Sequence, residues 1–379
     1  MKVVALTRTS TIGPSTRYRI GQYVDPLRRD DIEVRMRPLF GSGWFKLLEW
    51  RSGPHTSVCK AAYSLTRLLA RIGQVVSARL APPDLVLVEQ QLFPYLPAWI
   101  ERLLWPRSVP TVLEFDDAIY LTRGHRRKLE LLCGLADVVI VGNRFLADFA
   151  RPHARNVVVI PTTVDVTRYE DACSIQRHRR AEGDDTFRVG WIGLRYNHPF
   201  LEELAGPLAQ IAATGRPVEL RVISSSAPAA TERWGEVRIV HRPWDEATEA
   251  DELGACDVGV MPLPDNEWAR GKCALKVLQC MAAAVPVVCS PVGVNADIVQ
   301  EGANGLLASD PEAWQRALAS LAGDAALRAR LGDAGLDTVL EAYSLQTGAE
   351  KVREAYGLAA LRAEGDGESR PSSSAMRRR

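Results

Sequence analysis

The chain has 379 residues, 46% of them hydrophobic and 25% charged, with 47 Lys+Arg against 46 Asp+Glu. This is an ordinary soluble globular composition with length for two domains. It excludes a bilayer-spanning chain, because no apolar run approaches ~20 residues, and the opening MKVVALTRTS lacks the apolar core and cleavage site of a signal peptide.

In chain order, residues 2–7 (KVVALT) read as a first strand, 9–16 (TSTIGPST) as a Gly/Pro/Ser loop, and Arg17 as the start of a helix to about Arg29. Strand, glycine loop and helix make a Rossmann-like opening built around Gly13, although G-x-G-x-x-G is absent. Arg17 and Arg19 beside that loop either fork onto a phosphate or carboxylate or are surface arginines. Residues 32–38 are a second strand. Residues 41–80 carry Trp44, Phe45, Leu47, Leu48 and Trp50 among cations, which reads either as contact with a membrane surface or as core-facing aromatics on a basic helix. Strands follow at 84–89, 111–115, 136–141 and 157–160, with helices at 95–104 and 144–150. Residues 1–165 hold 23 Lys+Arg against 15 Asp+Glu, and the remainder 24 against 31, so the first half is the one suited to an anionic surface or substrate.

The polar stretch 166–186 reads as an interdomain connection. Phe187 to Gly193 (FRVGWIG) restarts the pattern with a strand, a loop at Gly193, Leu194 and Arg195, and a helix from about Phe200; strands at 218–223 and 237–240 and a helix at 247–254 follow. The plan repeats at roughly 185 residues, KVVALTRTSTIG matching FRVGWIGLRYNH and ADVVIVGN matching CDVGVMPL, so two Rossmann-like doubly wound α/β domains in tandem are expected. Residues 311–362 are helical by periodicity, and the tail from about 363 has nothing apolar to bury and is expected to be disordered. Seven scattered cysteines without a CxxC pair indicate reduced thiols in a cytosolic protein, with Cys133, Cys256, Cys280 and Cys289 as small core residues.

The most informative stretch is 257–293. A buried strand at 258–261 is closed by Pro262, a polar loop leads to Gly271, and Lys272 to Ala284 reads as an amphipathic helix before a strand at 285–289. Lys272 and Lys276 near a helix start oppose the helix dipole unless a phosphate or diphosphate sits there; the other reading is a solvated lysine face. Ligands of parallel sheets collect at strand carboxyl ends. That rule nominates the Gly13 loop, Asp116 and Asp117 in the first domain, and Gly193 with Arg195, residues 241–244 and the loop 266–276 in the second. Asp116 reads as a carboxylate that holds sugar hydroxyls or steadies a cationic transition state, and Asp117 as that or a helix cap. Trp244 either stacks on a nucleobase or packs as a core indole. His125, His198 and His241 are more often bystanders than bases. No Asp-x-Asp occurs, so lysines and a helix start would have to hold a diphosphate.

These motifs (GPSTRYR at 13–19, VLEFDDAIY at 112–120, ADVVIVGN at 136–143, VGWIG at 189–193 and the stretch to Gly293) resemble the retaining, nucleotide-sugar-dependent glycosyltransferases of the GT-B fold in family four, of the bacterial surface polysaccharide and glycolipid type. The resemblance implies two domains, 1–165 and 187–344, facing across a cleft, with a final helix at 345–362 returning to the first. It implies transfer from a UDP- or GDP-linked sugar to a glycan or lipid-linked acceptor, with no cofactor, metal or nucleic acid. It places the protein in the cytoplasm, at the inner face of the membrane if the basic first domain contacts anionic lipid. Lys272 and Lys276, with the amides after Gly271, would hold the diphosphate, helped by Cys273; the acceptor would meet Arg17 and Arg19. Relatives carry two Glu where this chain has Gly271 and Gln279, so the donor sugar's hydroxyls fall to Asn266, Glu267 or Arg270. They also carry His where Asp116 stands. A sugar-nucleotide epimerase and a catalytically silent sugar-nucleotide-binding homologue are the rival readings.

Overall fold

In the computed structural model the described residues are 1–49, 54–94, 96–182, 185–229 and 231–368. Trp50, Tyr95 and the tail beyond Glu368 lie outside them, as do the side chains of Phe45 and Leu48. The chain divides into two compact units, one of residues 1–161 with 348 onward, the other of 162–347.

Unit 1 holds β1 (Lys2–Leu6), β2 (Glu33–Met36), β3 (Leu85–Glu89), β4 (Thr111–Phe115), β5 (Val138–Val141) and β6 (Val157–Val159). All pair in parallel, in the order β2-β1-β3-β4-β5-β6. β3, β4 and β5 are buried at every residue, which is why none of them alternates polar with apolar residues; their polar members, Glu89, Thr111 and Glu114, are buried with the rest. Unit 2 holds β7 (Phe187–Ile192), β8 (Val218–Ser224), β9 (Arg238–Pro243), β10 (Val258–Met261), β11 (Val287–Cys289) and β12 (Leu306–Leu307), in the order β12-β11-β10-β7-β8-β9. Both sheets are doubly wound, and the order reverses between β1 and β3 in the first and between β7 and β10 in the second.

The differing strand orders correct one expected equivalence. β5 lies three places from β1, whereas β10 is bonded directly to β7, so ADVVIVGN and CDVGVMPL do not occupy matching positions. Two segments also differ from expectation. Residues 170–182, taken for a connection, are a helix of unit 2 that buries Ala172, Cys173 and Gln176, with Gln176 donating to the Cys256 carbonyl at 2.5 Å. The last helix, Leu345–Glu368, runs through residues expected to be disordered.

The helices that bear on function are α1 (Pro14–Arg19), α2 (Pro54–Leu80), α3 (Ala98–Leu104) and α4 (Leu275–Ala282). α1 is followed by a 3-10 turn at Gly21–Tyr23 and a second short helix at Val24–Arg29, where one continuous helix was expected. α1 is fixed to the sheet by Arg19, whose Nε donates to Glu114 Oε1 at 2.7 Å and whose Nη1 donates to the Ile160 carbonyl at 2.8 Å. Both side chains of that ion pair are almost entirely shielded from solvent. Burial pushes the Glu114 carboxyl up, to about 8, against the pull of the Arg19 guanidinium.

Replacing Arg19 leaves the buried Glu114 carboxyl without its partner. With Glu114 mostly protonated at neutral pH, Arg19→Ala is expected to cost there about 1–3 kcal/mol for the lost buried hydrogen bonds. The loss should grow as pH rises through 8 and Glu114 ionises. Urea denaturation at pH 6 and pH 9 checks both the size and the sign.

Candidate functional site

β7 and β10 are neighbours at the point where the second sheet reverses its strand order, the place where doubly wound sheets leave a crevice. β7 ends into Gly193, and β10 runs through the loop 262–274 into α4, which carries Lys276 in its first turn. The helix starts at Leu275, three residues later than the hydrophobic pattern suggested. Ala274 before it sits at φ 53°, in the left-handed region that L-residues seldom occupy, so Lys272 and Cys273 belong to the approach and not to the helix.

The structure brings Gly193 and Lys276 together. A Cβ on Gly193 would stand 2.6 Å from Lys276 Nζ and 2.7 Å from the Trp191 ring, so only glycine leaves the ammonium its place. Lys276 Nζ lies 4.2 Å from the centroid of the Trp191 ring, a cation–π contact to an indole that is itself 1% exposed. The residue keeps some accessible surface, but its ammonium end is closely packed. Burial, followed by the like charge of Lys272, brings the Lys276 ammonium down to about 7. Among the described residues neither Asp nor Glu is one of the charges acting on it; the other group that does is the Cys280 thiol, which burial keeps protonated. Lys272 stands with its Nζ 5.8 Å from the Trp268 ring.

Two histidines close the same strand ends. His198 Nε2 and Ser224 Oγ share a hydrogen bond of 3.0 Å, and the His198 ring meets Trp191 edge-on at 5.5 Å. His241 Nε2 lies 2.9 Å from the Ser224 carbonyl. Burial and then the neighbouring His241, Arg195 and Lys276 hold His198 below the usual imidazole range. The result is a cluster of one ammonium and two imidazoles at the ends of β7 and β8 and the start of α4, with an indole as its floor.

Other expected donor residues have local work. Asn266 caps the short helix Glu267–Arg270, its Oδ1 accepting from the Ala269 amide at 2.9 Å, with Glu267 exposed at the first helical position. Arg270 is committed to Asp265 through two hydrogen bonds of 2.7 and 2.9 Å. Gly271 ends that helix, and Cys273 and Gln279 are buried. Trp244 is half-buried and donates its indole N–H to Glu249 Oε2 at 2.7 Å, which favours an anchored indole over one presented to a ligand.

In unit 1 the strand ends next to the β1/β3 reversal carry Glu89, Glu114 and Asp116. Glu89 accepts from the Arg8 amide at 2.8 Å and from the Thr16 hydroxyl at 2.9 Å, and burial pushes its carboxyl up to about 7, with Asp116 adding to the rise. Gly13 permits this packing: a Cβ there would sit 2.1 Å from Thr9 Oγ1, the hydroxyl that contacts Thr16. Asp116 is half-buried and acts on both buried glutamates. Arg19 forks inward onto Glu114, and Arg17 is buried with its guanidinium 5.0 Å from the Tyr18 ring. Neither is the exposed anion hook that the loop suggested. Asp117 is not the residue that caps the next turn: Ala118 holds that position without a side-chain cap.

Sequence reasoning missed Trp191 and Glu89 and undervalued His198 and His241. An indole or a carboxyl in a strand run reads as core or edge. The available signal for Trp191 was its place two residues before a strand-end glycine.

Residues 187–324 match the family described as "Glycosyl transferases group 1". The chain is 26% identical over 321 residues to the D-inositol 3-phosphate glycosyltransferase of Corynebacterium urealyticum, covering 73% of this chain and 72% of that one. Among solved structures it resembles sucrose-phosphate synthase from Thermosynechococcus elongatus, with TM-score 0.69 and 17% identity over 94% of this chain and 98% of that one. It also resembles Anabaena HepE in complex with UDP-glucose, with TM-score 0.65 and 15% identity over 94% and 99%. These likenesses show the GT-B fold.

Gly193→Ala is expected to displace the Lys276 ammonium and weaken binding of inorganic diphosphate by about tenfold. The backbone there needs no positive φ, but the buried Trp191 ring must also shift, so the melting temperature should fall as well. Calorimetry with a thermal melt checks the pair of outcomes.

Proposed function

We propose that the chain transfers a sugar from a UDP- or GDP-linked donor to a hydroxyl of a glycan or lipid-linked glycan, with retention and without a divalent metal. The observation that carries this reading is the Lys276 ammonium, packed on Trp191 at the strand-order reversal with no Asp or Glu among the described residues acting on it. A cation left in that condition is a receptor for an anion that arrives with the substrate. The group 1 domain match over 187–324 and the fold shared with a protein solved with UDP-glucose support the choice of anion.

In this reaction the bond between the sugar's anomeric carbon and the diphosphate oxygen breaks, and its electron pair stays on that oxygen. Lys272, Lys276 and the positive end of α4 lower the energy of that charge, an effect worth ~3 kcal/mol per well-placed donor. The acceptor's hydroxyl adds to the anomeric carbon on the same face and gives its proton to the departing phosphate oxygen. Asp116 steadies the positive charge that develops on the sugar. His198 and Arg195 add to the anion site. With Asn266 and Arg270 held locally, Gly271 and Gln279 leave the sugar-hydroxyl contact to Glu267 and the Gly271 amide. The same two residues favour a second reading, a silent sugar-nucleotide binder. A lipid-linked acceptor places the work at the inner face of the membrane; among the described residues no helix is long and apolar enough to cross it.

Incubation with a panel of UDP- and GDP-sugars separates the readings. Slow release of free nucleoside diphosphate is expected. An isomeric nucleotide sugar would instead mean an epimerase, and binding without turnover in the presence of acceptor a silent homologue. Lys272→Ala and Lys276→Ala should each weaken nucleoside diphosphate binding by roughly tenfold to a hundredfold with the fold intact.

The reading also fixes a pH dependence. The charged form of Lys276 binds the anion, and its ammonium titrates near 7 in the free protein. Affinity for the diphosphate should therefore be full below pH 7 and fall above it, by at most about tenfold per pH unit for this one group. Binding near pH 8 should take up a proton, seen as a dependence of the calorimetric heat on the buffer's ionisation enthalpy. Lys276→Arg should flatten the profile.

A further inference from the structure

α2 is unusual among the described helices. One side is tied to the sheet: Arg67 donates to the carbonyls of Pro38 and Leu39 at 2.8 and 2.6 Å, Arg71 donates to the Thr7 carbonyl, and Val75 and Ala78 are buried. The other side carries Val58, Leu65, Leu69, Val76 and Leu80, all 40–82% exposed, with Ala62 and Gly73 in the turns between. Steps of three and four put these on a single stripe of the helix, about 33 Å long. Its 27 residues include no Asp or Glu.

The stripe continues into a second apolar patch. Arg79 at the end of α2 donates to the Leu103 carbonyl at 2.8 Å and the Trp105 carbonyl at 3.1 Å, joining α2 to α3. There Trp99 and Leu103 are 65% and 66% exposed. They line a cavity of about 590 Å³ with Arg79, Arg102 and Arg107. Of the two readings of the aromatics at 41–50, Trp44 fits the core-facing one: half-buried, it stacks on buried Phe40 at 4.7 Å and on Tyr63 at 6.1 Å.

We propose that the exposed stripe of α2 and the adjoining Trp99–Leu103 patch lie on the surface of an anionic lipid bilayer. An apolar stripe of this length seeks a cover, and an amphipathic helix lying in the headgroup layer provides one. Trp99 suits the interfacial layer, and Arg79, Arg102 and Arg107 extend apolar stems alongside it with charged heads for lipid phosphates. A second copy fits less well, because a two-fold contact through this patch sets the arginine cluster against itself with no acid on α2 to answer it. The inference deepens the membrane contact in the preceding reading but concerns neither donor nor turnover.

The test is co-sedimentation of the full chain with phosphatidylcholine vesicles, with and without phosphatidylglycerol, beside calorimetry of nucleoside diphosphate binding. Binding to the phosphatidylglycerol vesicles is expected. The double variant Leu65→Asp/Leu69→Asp should lower it about tenfold or more, and Arg102→Glu/Arg107→Glu should remove the preference for phosphatidylglycerol. Both variants should bind the nucleotide as the parent does. The proposal is overturned if the parent chain stays in the supernatant, or if the leucine variant sediments like the parent. It is equally overturned if the parent is a dimer by light scattering that the leucine variant dissolves. Failure of the transferase reading would appear separately, as absent nucleotide binding in the parent chain.

Discussion

The second unit is organised around a desolvated ammonium. Parallel pairing of β7 with β10 brings two strand ends together, Gly193 supplies a gap at one, and α4 delivers Lys276 at the other. Trp191 beneath the charge offers the face of its ring, an attraction that survives burial because an indole is weakly hydrated. It does not replace the water that a fully solvated lysine keeps, and the lowered affinity of Lys276 for its proton records the deficit. An incoming phosphate would remove that deficit.

The first unit treats charge the opposite way. Glu89 and Glu114 are buried carboxyls at strand ends, each already provided for: Glu89 by the Arg8 amide and the Thr16 hydroxyl, Glu114 by Arg19. Asp116, half-buried beside both, is the member of the group that retains access to solvent. The arrangement leaves one carboxylate half-exposed while its neighbours hold the loop of α1 in place. A basic composition over the first 165 residues is thus compatible with an acidic centre at its strand ends.

How much of this was legible depends on what each residue type discloses. The strands β5 and β10 could be delimited from the sequence because burial on both faces leaves a run with no polar residue, closed at β10 by Pro262. Strand order could not, because a run of valines carries no record of its neighbour. Lys276 was legible as a cation where a helix dipole disfavours one. Trp191 was not, since an indole in a strand has the same appearance whether it fills a core or supports a charge. The helix 170–182 was overlooked because its buried side is Ala172, Cys173 and Gln176, residues too small or too polar to mark an apolar face. Arg19 was misjudged for the converse reason: its partner lies 95 residues away.

Unit 1 is not continuous along the chain. Ala355, Tyr356 and Ala359 of the last helix are buried as part of it, and Arg353 approaches Asp30 at 3.9 Å. A ribosome therefore finishes the middle of this protein before it finishes the beginning. The nascent first 161 residues wait, without the last helix of their unit, through translation of the whole intervening unit. A stop codon a few dozen positions early would leave the later-made unit whole and cripple the one made first.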